Sequence, residues 1–328
     1  MRSSQVVVVT GASAGVGRAT ALQFARQGAK VALLARDKTR LQSAQAEIQA
    51  AGGQALIIAL DVADAAQVEA AAAQVEQELG AIDVWVNNAM VTIITPVHDL
   101  QADEVRRVTE VTYLGTVHGT LAALKRMREC NRGVIVQVGS ALAYRAIPVQ
   151  SAYCAAKFAV RGFTDSLRTE LLHQKSAVRI TMVQLPAHNT PQFDWARHRM
   201  PARPRPVAPV FRPEVAARAI TWAAQGHRRE VWLGFSAVKA IVGTLLAPAL
   251  ADRLAASAWD GQMDQSAPAP DPHRADNLFR TVVGNQGVEG RFGDEAKATS
   301  WQFRATQHRA VLGAMVLGVA ALAALVWM

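Results

Sequence analysis

Short apolar runs, many of them β-branched and none with a polar face, recur along the chain with helix-length segments between them. They fall at residues 6–9, 31–34, 55–59, 83–86, 134–138 and 179–184, with 230–233 as a candidate seventh. A strand that alternates apolar and polar residues can face water on one side, whereas a strand without a polar face must be covered on both. Crossovers such as residues 15–27, 38–50 and 64–79 are long enough to join parallel neighbours and supply that cover. The pattern predicts an α/β domain, a doubly wound parallel sheet with helices on both faces. Further helices are expected over residues 151–173 and 213–225, the latter opening with Pro213 at a first-turn position.

Composition narrows the class. With 51% apolar residues in 328, the chain can bury a large core, and 6% aromatics argue against a stacking platform for single-stranded nucleic acid. Two cysteines, Cys130 and Cys154, cannot build a disulfide framework or a cysteine zinc site, which points to a reducing compartment. The first residues do not read as a signal peptide, because the apolar run at 6–9 is short and leads into a glycine turn.

The net charge of +9 is largely local: residues 197–212 carry five arginines and no acid. Prolines at 201, 204, 206 and 209 forbid a helix there, so a nucleic-acid-reading element is not expected. A basic loop against an anionic membrane surface is the expectation instead. It accords with residues 310–328, which hold neither charge nor proline and as a helix would span about 28 Å. Arg304, His308 and Arg309 precede that run, so positive-inside logic predicts a single-pass C-terminal anchor with the catalytic domain in the cytoplasm. The expected organisation is an α/β domain over 1–255, a polar and weakly structured connector over 256–307 and a transmembrane anchor over 308–328. The apolar run 240–251 contains Pro248 and is too short to cross a bilayer, so it is expected as a core-covering or interfacial helix.

Chemistry enters at the first strand-to-helix turn. Thr10-Gly11-Ala12-Ser13-Ala14-Gly15-Val16-Gly17 follows the first strand and opens a helix, so main-chain N–H groups can face a pyrophosphate. Asp61-Val62 follows the third strand, Asn87-Asn88-Ala89 the fourth and Ser140 the fifth, and Tyr153 and Lys157 lie four apart on the next helix. In this order the motifs resemble the short-chain dehydrogenase/reductase family over about residues 5–235. The resemblance implies a Rossmann-type fold and an oxidoreductase that interconverts a carbonyl and an alcohol with a nicotinamide cofactor.

Four-residue spacing puts Tyr153 and Lys157 on one helix face, where an ammonium favours the phenolate. The resemblance implies that Ser140 orients the substrate oxygen, Tyr153 passes the proton and Lys157 holds the nicotinamide ribose. It also implies cofactor contacts from Gly11, Ser13, Ala14, Gly15, Val16 and Gly17, from Asp61 and Val62 at the adenine, and from Asn88, Ala89, Pro186 and Thr190. At the end of the second strand Arg36 offers a cation to a 2′-phosphate, which favours NADP(H), while Asp37 leaves NAD(H) open.

Three positions depart from the family pattern. Thr112 stands where the family has an asparagine whose main-chain carbonyl holds a relay water, Met90 replaces a glycine, and Pro186-Ala187 replaces Pro-Gly. Residues 187–212 correspond to the family's substrate lid, and Phe193, Trp195, Met200 and Phe211 there either suggest an apolar, sizeable substrate or pin the loop to the core, while a membrane-anchored site with a basic lid would suit a lipid-like one. His188 and His198 lack metal-ligand spacing, and no metal is expected. The sequence does not fix the oligomeric state; the resemblance leaves a homodimer open, since relatives commonly pair through the helices after the fourth and fifth strands. The alternatives to an enzyme are a catalytically silent nucleotide sensor and a membrane-tethered scaffold.

Overall fold

The apolar runs assemble into one sheet. The computed structural model describes residues 5–266, 271, 274–284 and 287–309. The first half runs β1 (Val6–Thr10), α1 (Gly15–Arg26), β2 (Lys30–Ala35), α2 (Lys38–Ala50), β3 (Gln54–Ala59), α3 (Ala65–Leu79) and β4 (Val84–Asn87). Then come the two-residue β5 (Ile93–Ile94), α4 (Ala102–Val108), a π-helical turn at Thr109–Leu114, α5 (Gly115–Glu129), β6 (Val134–Ser140), α6 (Ser151–His173) and β7 (Arg179–Leu185). The remainder holds α7 (Gln192–Trp195), β8 (Arg197–His198), β9 (Arg203–Pro204), α8 (Pro213–Gln225), β10 (Glu230–Trp232), α9 (Phe235–Leu246), α10 (Pro248–Ala256), β11 (Met263–Asp264) and α11 (Trp301–Gln307).

Seven strands lie in the order β10-β7-β6-β4-β1-β2-β3, all parallel. Connections leave β1 toward β2 on one side and return to β4 on the other, so the carboxyl ends of β1 and β4 diverge and open a crevice. Side chains of β1 alternate between two cores. Val7 and Val9 pack with Phe24, Leu41, Val215 and Ile220 of α1, α2 and α8, while Val6 and Val8 pack with residues such as Val68, Val75, Ala122 and Leu171 of α3, α5 and α6. Both faces are thus dry, which is why these strands carry no polar stripe. One polar cluster interrupts the second core. Asn87 accepts from Trp85 Nε1 at 2.8 Å and donates to Thr120 Oγ1 and Gln137 Oε1 at 3.0 and 2.9 Å, satisfying buried groups that would otherwise be costly.

Several expectations need correction. The apolar run 240–251 is split between α9 and α10, because Pro248 cannot continue the first helix. Only Ala237 and Ile241 of α9 are buried and no residue of α10 is, so the pair covers little core. The arginines of 197–212 do not form a free basic loop. Arg197 and Arg199 bond Glu104, Arg197 also bonds Asp276, Arg205 pairs with Glu295, and Arg212 lies 3.7 Å from Glu289. Partners far away in sequence neutralise the local charge, which removes the reason to place this loop on an anionic surface.

The single-pass membrane location with a cytoplasmic catalytic domain is likewise overturned: among the described residues no helix is long and apolar enough to cross a membrane. The longest, α6, buries one face against the sheet and presents charges such as Arg161, Asp165, Arg168 and Glu170 along its other side. Residues 310–328, on which the transmembrane anchor was placed, lie outside the described residues. The segment expected as a weakly structured connector has little regular structure but is tied down. Leu278, Phe292 and Phe303 are buried, and the Phe303 ring meets Trp222 edge-on at 5.6 Å.

Glu104 anchors the lid. It is 1% exposed and accepts from Arg197, from both Nη atoms of Arg199 and from the Gln101 N–H. Burial pushes its carboxyl up, but bonds from Arg199, the Gln101 N–H and Arg197 outweigh this and hold it below the ordinary range. Replacing Glu104 with Ala takes from Arg199 its bonded carboxylate and leaves Arg197 with Asp276 alone, and chemical denaturation at pH 7 should show a loss of about 2 kcal/mol. Because the folded carboxyl is the stronger acid, the wild-type advantage should shrink as pH falls through the carboxylate range.

Candidate active site

Thr10 closes the crevice at its base. Its hydroxyl donates to the Val86 carbonyl at 3.3 Å and accepts from the N–H groups of Asn88 and Ala89 at 2.9 and 3.0 Å. Asn88 Nδ2 returns to the carbonyls of Thr10 and Gly11 at 3.0 and 3.4 Å. The ends of β1 and β4 are therefore stitched by side chains just where strand pairing stops. Gly11 has φ +67°, and a Cβ there would lie 2.8 Å from Ala89 Cα, while a Cβ on Gly17 would strike the Gly11 carbonyl. The glycines are required by this close approach and by the left-handed backbone.

Above the stitch lies a cavity of about 420 Å³. Gly11, Ser13, Ala14, Gly15, Val16 and Gly17 line one end together with Arg36, Asp61, Val62, Asn88 and Ala89. Ser140, Tyr153, Lys157, Pro186 and Thr190 line it further along. Every expected site residue except Thr112 thus meets in one cavity. Thr112 is fully buried in the π-helical turn, where its hydroxyl exchanges hydrogen bonds with the Val91 backbone at 3.0 and 3.1 Å. Its carbonyl accepts from Thr116 Oγ1 at 3.0 Å. Its side chain fastens the wide turn to the loop after β4.

Ser140 ends β6, and its Oγ accepts from the Leu142 N–H at 3.1 Å. Lys157 Nζ donates to the Val138 carbonyl at 2.7 Å and lies 5.6 Å from the centre of the Tyr153 ring. Burial pushes the Tyr153 phenol up, and its hydrogen bond with Ser140 only partly offsets this. Burial also pulls the Lys157 ammonium down to about 8. Dry surroundings thus disfavour both charged forms, and each group sits closer to neutrality than its ordinary value allows. His188 donates from Nδ1 to the Pro186 carbonyl at 2.9 Å, and burial lowers it to about 4, so it is neutral at physiological pH. Among the described residues no cluster of three or more His, Cys, Asp or Glu is placed to hold a metal ion.

At the far end the cations are engaged. Asp61 pairs with Arg107 and accepts from the Ala63 N–H at 3.0 Å. Arg36 donates to the carbonyls of Asn277, Leu278 and Phe279 at 2.5, 3.4 and 3.2 Å. Arg40 donates to the carbonyls of Gly284, at 2.6 Å, and Val282. Gly15 N–H reaches the Gly287 carbonyl at 3.1 Å. None of this was expected, since a stretch without hydrophobic period gives no sign of where it packs. Arg40, Asn277 and Thr281 line the cavity without having been singled out, as do Leu142, Ile147, Ala237 and Ala240 at the other end. Of the lid residues named in advance, Phe193 and Trp195 reach the cavity, while Met200 and Phe211 are buried in apolar clusters.

A profile of the short chain dehydrogenases matches residues 5–200. The chain belongs to the short-chain dehydrogenase/reductase family. An uncharacterized oxidoreductase of Bacillus subtilis (strain 168), YxnA, is 31% identical over 326 residues, covering 98% of this chain and 90% of the relative. Human dehydrogenase/reductase SDR family member 7 is 38% identical over 173 residues, 52% of this chain and 51% of the relative. Among solved structures, a short-chain dehydrogenase from Streptomyces avermitilis has a TM-score of 0.66 and 28% identity, covering 79% of this chain and 97% of its own. An alcohol dehydrogenase from Thermococcus sibiricus, complexed with 5-hydroxy-NADP, has a TM-score of 0.61 and 26% identity over 70% of this chain and 95% of its own. This short-chain dehydrogenase/reductase is accordingly an oxidoreductase, and its match to YxnA runs well past residue 200.

The buried lysine of this oxidoreductase carries a measurable linkage. Lys157 binds its proton less tightly when folded, at about 8 against an ordinary 10.5, so the unfolded chain holds more protons between those values. Its burden on stability is therefore relieved as pH rises. Relative to a Lys157→Met variant, the wild type should gain about 2 kcal/mol of unfolding free energy between pH 7 and pH 10. Parallel denaturation curves for the two proteins would reveal that divergence.

Proposed function

We propose that this protein is an NADP(H)-dependent oxidoreductase that interconverts an apolar ketone or aldehyde with its alcohol. The observation that carries the reading is the meeting of Ser140, Tyr153 and Lys157 in one cavity with the glycine loop. The residues present fit the cofactor. The glycine turn lines the cavity, held there by the close approach of Gly11 and Gly17 to Asn88 and Ala89 that a Cβ would block, and main-chain N–H groups at the start of α1 suit a pyrophosphate. Arg36 and Arg40 suit a 2′-phosphate. Asp61, Val62, Ala89 and Asn88 would hold the adenosine side, and Pro186 and Thr190 the carboxamide. When bound, the cofactor supplies or accepts hydride.

The chain's own residues handle the oxygen and its proton. Ser140 Oγ orients the substrate oxygen by a hydrogen bond, and the Tyr153 phenol gives that oxygen a proton during reduction or takes one during oxidation. Lys157 holds the nicotinamide ribose and favours the phenolate, working against the burial that raises the phenol. Thr112 lies outside the cavity, and its part is to fasten the π-helical turn to the Val91 backbone. Leu142, Ile147, Phe193, Trp195, Val207 and Ala237 wall the rest of the cavity, which suits an apolar substrate and excludes water.

Two measurements test this. Full-length protein titrated with both reduced nucleotides should bind NADPH at least about tenfold more tightly than NADH, or about 1.4 kcal/mol, and Arg36→Ala should erase the difference. Tyr153→Phe should lower turnover of apolar carbonyls by about 10²–10⁴-fold while NADPH affinity is unchanged. Equal turnover in that variant would remove the assigned acid.

A further inference from the structure

The family profile ends at residue 200, yet residues 274–284 lie across the adenosine end of the cavity. Both ends of this segment are fastened to the lid rather than to the sheet. Near its start, Asp276 pairs with Arg197, and Asn277 N–H donates to the Trp195 carbonyl at 2.9 Å. Beyond it, Gly290 and Phe292 donate to the carbonyl and the Oδ1 of Asn189, and Lys297 N–H to the Val210 carbonyl. Between these fixed points, Leu278 is fully buried in the same apolar cluster as Val62 and Val111, two residues of the cavity wall.

What holds the middle of the segment is unusual. Two guanidinium groups, Arg36 and Arg40, spend their donors on five neutral main-chain carbonyls, those of residues 277, 278, 279, 282 and 284. A third, Arg107, donates to the Leu278 carbonyl at 3.1 Å while paired with Asp61. Among the described residues the carboxylate paired with Arg40 is Asp37, at 3.5 Å, and Asp37 also caps α2 through the Arg40 N–H. Burial and the neighbouring Arg107 make the Arg36 charge costly, and Asp61 offsets this only in part. Carbonyl dipoles satisfy such groups less well than a dianion, which adds ion–ion attraction and a bidentate geometry to the hydrogen bonds.

We infer that residues 274–284 form a strap over the cofactor cleft, whose carbonyls stand in on Arg36 and Arg40 for the 2′-phosphate of the cofactor and yield to it. The inference rests on the NADP(H) reading above. A dinucleotide enters only when the strap lifts, so strap opening limits the rate of cofactor association. The phosphate then takes the guanidinium groups and holds the strap in its displaced position. NADH brings only hydroxyls to the same place and cannot outcompete the carbonyls, so the strap adds selectivity that the arginines alone would not give.

Rapid mixing of the full chain with rising NADPH, read by nicotinamide fluorescence, should give an association rate that reaches a plateau. Leu278→Ala removes the buried plug without touching either arginine and should raise that plateau at least tenfold. Hydrogen exchange of residues 277–284 should accelerate with NADPH and not with NADH at equal occupancy. If Leu278→Ala fails to fold, the wild-type plateau and the exchange pattern decide the matter. A rate that stays linear in NADPH, with no nucleotide-specific exchange in the strap, overturns the strap and leaves the NADP(H) reading intact. Absence of NADPH binding in wild type and variant alike overturns the NADP(H) reading and the strap with it.

Discussion

The stitch between the ends of β1 and β4 is the constraint on which the rest of the site depends. Parallel strands must separate somewhere if a ligand is to reach the edge of the sheet, and separation strands main-chain groups that pairing would have satisfied. Thr10 and Asn88 take over those groups, and Gly11 and Gly17 let the two loops pass within contact distance. The start of α1 is thereby held over the crevice. Ser140 at the end of the neighbouring β6, and Tyr153 and Lys157 on the helix that follows, then open onto the same space.

Chemistry in that space is set by a balance between burial and charge. A dry cavity strengthens every polar contact that a substrate oxygen will make, but it also resists the phenolate and the ammonium. Tyr153 and Lys157 show the second effect directly, the phenol raised and the ammonium lowered. The hydrogen bond from Lys157 to the Val138 carbonyl keeps the ammonium oriented, and Ser140 beside Tyr153 offsets part of the rise that burial imposes on the phenol.

Charge that looks like a surface property in the sequence is largely internal wiring in the fold. The arginines of the lid reach Glu104 on α4 and Asp276 and Glu295 on the C-terminal segment, and Arg36 and Arg40 reach the carbonyls of that same segment. Lid, strap and sheet are thus bound to one another by guanidinium groups, each able to satisfy several acceptors at once. Such contacts tie together elements that share no apolar face.

The sequence by itself determined the sheet, because six short apolar runs without a polar face, and a candidate seventh, call for cover on both sides. The strand ends and the helix face that carry the glycine loop, Ser140, Tyr153 and Lys157 are legible from local period, and the resemblance to the family singled these residues out. Only the tertiary structure decided where the polar C-terminal segment lies, which partners the arginines take, and that Thr112 is buried against the Val91 backbone rather than lining the cavity. The reason is physical. Strands and helices announce themselves by hydrophobic periodicity, whereas a strap held by main-chain carbonyls, and an ion pair between residues nearly a hundred positions apart, as in Arg199 with Glu104, have no period to read.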